Sequence, residues 1–405
     1  MAMDSRKRRV LYLCLFTYTV SYICRTNLSI AIDPMMEDLC LTGFQVSMVN
    51  TLYFWFYGMG QVLGGFAATR HDPRHVLVVG LLLTGSLNII VSLMDSIWAV
   101  SVLWALNGLA LALFWPSIMQ ICSKNFTDDE FASIAMLLNL PTTLGYFLSW
   151  FSFAHLSASG HWRIIFLIPG LIAYASTFVW SAGNDKMSKG MILKDIPEGR
   201  IPTEYPPIGS ILLRRSMIAF ALILLLEGAA RESMNTWAPL LVRQSMPVKD
   251  EMLSFFLSAI PLVNTAGMLL THHIIRNMKS CQDSIAVCVM VCLSFLLAVL
   301  LDVCRGYFIV FILLYSIELS ALCIGASFVV TLVPLRAAES GQCALVSGIF
   351  NLICYIGASL GMLLSGYVST RFGWNAIYGL WIALAFAACL MLPAIFERKH
   401  EWTYT

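Results

Sequence analysis

Two arginines lie inside long apolar runs of this sequence, where a permanent charge is costly. Arg25 is the sixteenth residue of the run 10–32, and Arg231 is the fifteenth residue of the run 217–242. A guanidinium near the centre of a membrane helix costs about 2.5–3.5 kcal/mol on insertion scales, so it is expected to face a wet cavity inside the protein. Two guanidiniums that converge on one cavity form a fork suited to a divalent oxyanion such as phosphate.

The alternative role of these charges is structural ion pairing. Glu227 is four residues before Arg231 and would lie on the same helix face, and Glu318 lies inside another apolar run. Either carboxylate could neutralise Arg231, or take up a proton in a transport cycle. The run that contains Arg25 has no acidic residue near it, so binding of an external anion is favoured there.

The composition places these runs in a membrane. Hydrophobic residues make up 59% of the 405 positions, charged residues make up only 12%, and the mean hydropathy is +0.79. A hydrocarbon core of roughly 30 Å needs about 20 apolar residues per helix, and the runs are too long for barrel strands. We predict an all-α membrane protein with twelve transmembrane helices near residues 10–32, 42–68, 76–94, 97–122, 131–154, 164–183, 217–242, 252–275, 283–301, 307–333, 344–368 and 376–396.

Basic residues divide unequally between the connecting segments. If the N-terminus is inside, most of the 25 Lys and Arg residues fall in cytoplasmic segments, as the positive-inside rule requires. Both termini are therefore predicted to be cytoplasmic, in a multi-pass protein of the plasma or inner membrane. The polar stretch KDIPEGRIPTEYPP separates six runs from six. This predicts an N-terminal six-helix bundle at 1–184, a cytoplasmic linker at 185–215 and a C-terminal six-helix bundle at 216–405.

The two halves also share a spacing pattern. Asn139 precedes Gly145 by six residues in the fifth run, and Asn351 precedes Gly357 by six in the eleventh. Parallel six-helix repeats with a ligand site between them are typical of transporters, which predicts two pseudo-symmetric bundles. Two glycine pairs, Gly60-x-x-x-Gly64 and Gly357-x-x-x-Gly361, predict close helix packing.

Several stretches are similar to one known family. YICRTNLSIAIDP (22–34) resembles the first helix of the organophosphate:phosphate antiporters of the major facilitator superfamily, which include the glycerol-3-phosphate and hexose-phosphate transporters. The resemblance continues in YGMGQVLGGFAATRHDPRHVL (57–77), in Trp115-Pro116, in ARESMNTWAPLLV (230–242), and in SGIFNLICYIGASLG with GYVSTRFGW (347–374). It thus extends over nearly the whole chain.

The resemblance implies roles for individual residues. Arg25 and Arg231 fall on the family's two phosphate-binding arginines, and Tyr22, Tyr57 and Tyr355 fall on tyrosines that line its cavity. Trp115 belongs to the matching segment of the fourth run and is included among the predicted substrate-binding residues.

The departures from the family concern its other cationic groups. The lysine that follows the first arginine is Thr26 here, the second-helix lysine is Gln61, and the fifth-helix histidine is Thr142. These changes make the cavity less positive and put glycerol-3-phosphate and hexose-6-phosphate in doubt as substrates. Three amides, Gln61, Asn27 and Gln120, could donate hydrogen bonds to a substrate or pair between helices, where such bonds are worth about 0.6 kcal/mol.

These observations predict a secondary active transporter that exchanges a phosphorylated metabolite for inorganic phosphate by alternating access. The empty site would hold two unpaired arginines and reorient slowly. The first alternative is a proton-coupled symporter of an organic anion, with Glu227 or Glu318 as the proton carrier. The second is a transporter-like membrane sensor of a sugar phosphate. The sequence carries no nucleotide, metalloprotease or hydrolase motif, so we expect no enzymatic activity, catalytic residue, cofactor, metal or nucleic-acid partner. The expected partners are the anionic substrate, phosphate and the lipid bilayer, and we expect a monomer.

Overall fold

The computed structural model describes residues 4–126, 134, 137–138, 140–188, 212–245, 259–267, 283–331, 333 and 343–396. Within these residues the secondary structure is helical and includes no strand, which confirms the predicted all-α class. The helices are α1 Ser5–Asp38, α2 Gly43–Arg70, α3 Pro73–Val91, α4 Ile97–Leu111, α5 Phe114–Asn125, α6 Leu140–Ala158, α7 Trp162–Ser188, α8 Arg215–Ser245, α9 Asp283–Val303, α10 Phe308–Thr331, α11 Cys343–Phe372 and α12 Ala376–Met391, followed by a 3₁₀ turn at Leu392–Ala394.

The predicted spans fall on these helices. Seven helical segments of the described chain are long and apolar enough to cross a membrane by length and composition alone. The start of the fifth predicted span lies outside the described residues, and so does most of the eighth, whose described part, 259–267, is helical. The predicted linker also lies largely outside them, since α7 ends at Ser188 and α8 begins at Arg215.

The fourth predicted span, 97–122, is one apolar segment long enough to cross a membrane, but its helix is interrupted. Helix α4 ends at Leu111 and α5 begins at Phe114. The break has a local cause in Pro116, because a proline inside a helix has no N–H for the carbonyl four residues earlier and its ring clashes with that carbonyl. The carbonyl in question belongs to Ala112. Ala112 is fully buried, and its carbonyl lies next to Gly64 of helix α2.

Gly60 and Gly64 of α2 pack against this break. A Cβ added to Gly60 would lie 2.7 Å from the Cβ of Ala112, and one added to Gly64 would lie 2.8 Å from the carbonyl oxygen of Ala112. Both distances are too short for a side chain. The predicted close approach at this glycine pair is confirmed.

The chain divides into two compact units. The described residues of Met1–Pro197 and Thr236–Thr265 form the first unit, and those of Glu198–Asn235 and Ala266–Thr405 form the second. Helix α8 therefore contributes its last turns to the first unit. There, Nη1 of Arg243 lies 2.8 Å from the Asp33 carboxylate near the end of α1. The predicted bundle and linker boundaries stay predictions.

A group of charged residues links three places in the first unit: the end of α1, the connection between α3 and α4, and the start of α7. Arg163 donates hydrogen bonds to Asp38 at 2.7 Å and to Asp95 at 2.5 Å, and the indole of Trp162 donates to Asp38 at 2.9 Å. These donors, Trp162 first, lower the pKa of Asp38 below its ordinary value because they stabilise the carboxylate. The contacts tie the end of α1 to the start of α7.

Candidate functional site

Four aromatic rings surround the guanidinium of Arg25 in the first unit. Its central carbon lies 5.1 Å from the ring centre of Tyr57, 5.4 Å from Tyr22, 5.7 Å from Tyr53 and 5.9 Å from Phe54. Cation–π contacts of this kind are worth about 0.5–2 kcal/mol each, depending on how far the cation is removed from water. The rings thus stabilise a cation that the membrane disfavours. We call these four residues the Arg25 cage.

Two glycines bring the helices of the Arg25 cage together. A Cβ added to Gly108 of α4 would lie 2.6 Å from the carbonyl oxygen of Tyr53, and one added to Gly145 of α6 would collide with Tyr22. The close packing of α4 on α2, and of α6 on α1, holds the aromatic side chains in place. Gly145 is one of the repeat glycines identified in the sequence.

The sequence prediction included Tyr22 and Tyr57 but missed Tyr53 and Phe54. Tyr53 precedes Tyr57 by four residues on α2 and its ring stacks on Tyr57 at 5.7 Å. That i, i+4 spacing was a usable signal, because residues four apart share a helix face. Trp115 is connected to the Arg25 cage through Tyr18. The ring centre of Tyr18 lies 5.6 Å from that of Trp115 and 5.1 Å from that of Tyr22.

Two polar residues next to Arg25 are used in helix packing. The Asn27 side chain is fully buried and donates to the side-chain oxygen of Asn88 at 2.8 Å and to the carbonyl of Ile165 at 3.2 Å. Thr26, at the family's lysine position, donates to the hydroxyl of Ser149 at 2.8 Å. For Asn27, the structure therefore supports the alternative of pairing between helices over a substrate contact.

The remaining amide candidates occupy separate helices of the first unit. Gln61 is partly buried on α2, one turn beyond Tyr57, and Gln120 is partly buried on α5. Thr142, at the family's histidine position, is partly buried on α6. These positions stay predictions as substrate contacts.

Arg231 lies in the second unit and forms an ion pair with its neighbour in sequence. Its Nη2 lies 3.0 Å from the carboxylate of Glu232, and its Nε donates to the same oxygen at 3.2 Å. Arg231 also lies 3.4 Å from the sulfur of Cys354 on α11, beside Tyr355. The expectation that Arg231 is unpaired in the empty site is therefore wrong, because Glu232 neutralises it.

Glu227 is not the hydrogen-bonded partner of Arg231. Its side chain is only 3% exposed, and within the described residues neither carboxylate oxygen accepts a hydrogen bond. It packs instead against α10, where a Cβ added to Gly325 would lie 2.6 Å from its Oε1. The i, i+4 pair with Glu227 was the alternative role considered for Arg231, whereas the structure forms the pair with the adjacent residue Glu232.

Glu318 is the second buried carboxylate of this unit. It is 2% exposed on α10, and its Oε1 accepts a hydrogen bond from the hydroxyl of Ser294 on α9 at 2.8 Å. Ser294 and Glu227 line the same small, largely apolar cavity. The two predicted coupling residues thus belong to one region between α8, α9 and α10.

The glycine pair of α11 positions the segment that carries Arg231. Cβ atoms added to Gly357 and Gly361 would collide with the backbone of Leu225 and Ala229 on α8. A Cβ added to Gly228 would in turn lie 2.5 Å from the carbonyl oxygen of Cys354. The close approach predicted for this glycine pair is confirmed, and it fixes the helix turn that precedes Arg231.

The family follows from comparison with known proteins. The model of the Major Facilitator Superfamily matches residues 14–359. The chain belongs to this superfamily. Membership of the superfamily confirms the predicted twelve-helix transporter fold and makes the chain a multi-pass membrane protein.

Relatives within the superfamily agree with the resemblance seen in the sequence. The chain is 22% identical over 256 residues to the membrane sensor protein UhpC of Salmonella typhimurium strain LT2, covering 60% of this chain and 58% of the relative. It is 21% identical over 164 residues to a probable hexose phosphate transport protein of Chlamydia pneumoniae, covering 40% of this chain and 36% of the relative. These matches span less than two thirds of either relative.

One solved structure matches the whole chain. It is a bacterial homologue of the human lysosomal transporter Spinster in an inward-facing and occupied conformation, with a TM-score of 0.78 and 11% identity over 100% of both chains. At this identity the similarity shows the fold alone.

Proposed function

We propose that the protein transports a small phosphorylated metabolite in exchange for inorganic phosphate, with Arg25 and Arg231 as the anion-binding residues. The observation that carries the proposal is the guanidinium of Arg25 within four aromatic rings at the middle of an apolar helix. The similarity to a probable hexose phosphate transport protein of Chlamydia pneumoniae supports the same substrate class.

The residues around each arginine suggest how an anion would be recognised. The rings of the Arg25 cage hold the cation in place, and the phenolic hydroxyls of Tyr22 and Tyr57 are groups that can exchange a hydrogen bond for one to a phosphate or sugar hydroxyl. In the second unit, an incoming phosphate would compete with Glu232 for Arg231. A guanidinium binds phosphate in a bidentate manner, so a dianion is favoured over the single carboxylate of Glu232.

Exchange requires that the loaded carrier reorients faster than the empty one. Bound phosphate would neutralise the arginine charge and so lower the energy of the intermediate in which the site is closed. The empty carrier lacks that neutralisation, although Glu232 removes part of the charge cost at Arg231. We therefore expect fast exchange and slow net efflux of phosphate.

The test is uptake of labelled phosphate into proteoliposomes that contain unlabelled phosphate, with sugar phosphates, glycerol phosphate, sulfonates and carboxylates as competitors. We expect uptake to depend on internal phosphate, and a phosphorylated compound to compete best. Competition by carboxylates alone, or uptake that needs no internal anion, would overturn phosphate exchange.

A sensor of a sugar phosphate is a second candidate, because one relative is named a membrane sensor protein. A sensor would bind the anion without appreciable flux. Binding measured by titration calorimetry, together with absence of exchange in the same preparation, would select it.

A further inference from the structure

Glu227 occupies an unusual environment for a carboxylate. Its side chain is 3% exposed, both its oxygens lack a hydrogen-bond partner within the described residues, and it lines a small cavity between α8, α9, α10 and α12. The remaining lining is almost wholly apolar: Leu226, Ala230, Val291, Leu322, Leu384, Ala385 and Ala388, with Ser294 as the other polar residue. An ionised carboxylate is strongly disfavoured in such a place, whereas the neutral acid is tolerated.

The charged and titratable groups around Glu227 come from three helices. Arg231 follows it by one turn on α8, but the guanidinium is paired with Glu232. Glu318 on α10 is a second buried carboxylate within electrostatic range of Glu227. Cys354 on α11 is also within range. The cavity residues from α12 are apolar, so no cation from that helix offsets the carboxylate.

A metal cation fits the cavity poorly. Hard cations such as Na⁺ or Mg²⁺ are coordinated by several oxygen atoms. The lining offers the oxygens of Glu227 and Ser294, and the hydroxyl of Ser294 already donates to Glu318. A proton needs only one carboxylate oxygen, so it is the ligand that this donor set can bind.

We propose that Glu227 is a proton-binding site whose occupancy is linked to anion binding at Arg231. An anion at Arg231 would add negative charge one helical turn away, about 6 Å along the face of α8. This raises the cost of the ionised carboxylate, so Glu227 takes a proton from water when the anion binds. By linkage, the proton strengthens anion binding by the same factor. The linkage rests on the proposed function, whereas the proton site itself does not.

The proton site is tested first, without any anion. Infrared spectra of the purified full-length protein at neutral pH should contain carboxylic acid C=O absorption that Glu227→Gln lowers, while any absorption of the other buried carboxylate, Glu318, remains. Glu37→Gln is the matched control, since Glu37 is exposed near the end of α1 and its loss should leave the absorption unchanged. C=O absorption that is equal in wild type and Glu227→Gln would overturn the assignment.

The linkage is tested by adding phosphate to protein in weakly buffered solution with a pH indicator, at the alkaline pH at which the C=O absorption assigned to Glu227 in the empty protein is half lost. Because phosphate itself titrates near neutral pH, the quantity measured is the difference between wild type and Glu227→Gln. We expect wild type to take up more protons, with an upper limit of about one per bound phosphate, while Glu227→Gln still binds phosphate in calorimetry.

The outcomes separate the two proposals. Equal proton uptake by wild type and Glu227→Gln, with phosphate bound by both, would overturn the linkage. Failure of wild type to bind phosphate would overturn the proposed function, and the infrared experiment would still decide the proton site. The infrared spectra are also compared in choline chloride and in sodium chloride. Loss of the C=O absorption of Glu227 in sodium would show that Glu227 binds a metal cation in place of a proton.

Discussion

The guanidinium carbon of Arg25 lies 5.1 Å from the ring centre of Tyr57, the shortest of its four contacts with aromatic rings. The contact explains how a charge in the middle of α1 is stabilised without moving to the membrane surface. The ring and the hydroxyl of Tyr57 have different roles in this arrangement. They can be distinguished because phenylalanine keeps the ring and lacks the hydroxyl, whereas alanine lacks both.

Replacing Tyr57 with Phe and with Ala distinguishes these roles. Tyr57→Phe keeps the ring and should bind phosphate within a few-fold of wild type. Tyr57→Ala loses a cation–π contact worth about 0.5–2 kcal/mol, which corresponds to weaker binding by about 2- to 30-fold. Titration calorimetry measures both values. Equal losses in the two variants would show that the hydroxyl, and not the ring, is what matters.

Because Arg231 is paired with Glu232, we expect removal of the Glu232 charge to lower the stability of the empty protein and to strengthen phosphate binding. Glu232→Gln removes the counter-ion of a largely buried guanidinium, so the empty protein should melt at a lower temperature. Phosphate no longer competes with a carboxylate, so the rise in melting temperature on adding phosphate should be larger than in wild type.

Asp302→Asn is the matched control for Glu232→Gln. Asp302 pairs with Arg305 at 3.1 Å at the more exposed end of α9, and exposed pairs contribute about 0–1 kcal/mol. This control should leave the phosphate effect unchanged. A phosphate effect that is equal in wild type and Glu232→Gln would contradict competition at Arg231.

The glycines of α11 offer a matched pair on one helix. An alanine at 357 would collide with the backbone of Leu225, whereas an alanine at 348 would meet nothing within 4 Å. We expect Gly357→Ala to lose about 1–3 kcal/mol of stability through overpacking. Gly348→Ala should be neutral or gain up to about 1 kcal/mol, because alanine favours helix. Thermal melting in detergent measures both, and similar melting temperatures would contradict the α8–α11 packing.

The ion pair between Arg243 and Asp33 joins the end of α8 to α1 within the first unit. Its partners are 33% and 18% exposed, so the pair is partly shielded from water. Arg243→Ala and Asp33→Ala should each lower thermal stability, and the double variant should lose less than the sum. A double-mutant cycle gives the coupling, for which we expect at least about 0.5 kcal/mol. Strict additivity would show that the pair contributes nothing.

The helices could be predicted from the sequence because polar backbone groups are costly in hydrocarbon, and the same cost marks Arg25 and Arg231 as unusual. Their role in anion binding stays a prediction. A long apolar run in a membrane forms a helix, because the helix satisfies its backbone hydrogen bonds within the segment. A charged residue within such a run is costly and therefore indicates a binding or pairing role. The two glycine pairs were likewise predictable, since only a residue without Cβ allows backbones to approach so closely.

The partners of individual polar groups were less predictable. Successive residues on a helix point about 100° apart, so the sequence favoured Glu227 over Glu232 as the partner of Arg231. The structure forms the pair with Glu232 because long side chains bend around the helix. Asn27 shows the same difficulty, since a buried amide facing another helix and one facing a cavity have the same sequence pattern. The interruption of the helix at Ala112 could have been predicted from Pro116, which has no N–H to bond the Ala112 carbonyl.

Calorimetric titration of phosphate into purified protein tests most directly the proposal that Arg25 and Arg231 both contribute to phosphate binding. Lysine keeps the charge but loses the bidentate geometry, so Arg25→Lys and Arg231→Lys should each weaken binding by about 10- to 100-fold. The loss of phosphate affinity in the double variant should not exceed the product of the two single losses. Wild type should bind one phosphate per chain. Phosphate affinity that is unchanged in folded single variants, or that is lost in only one of them, would contradict the account.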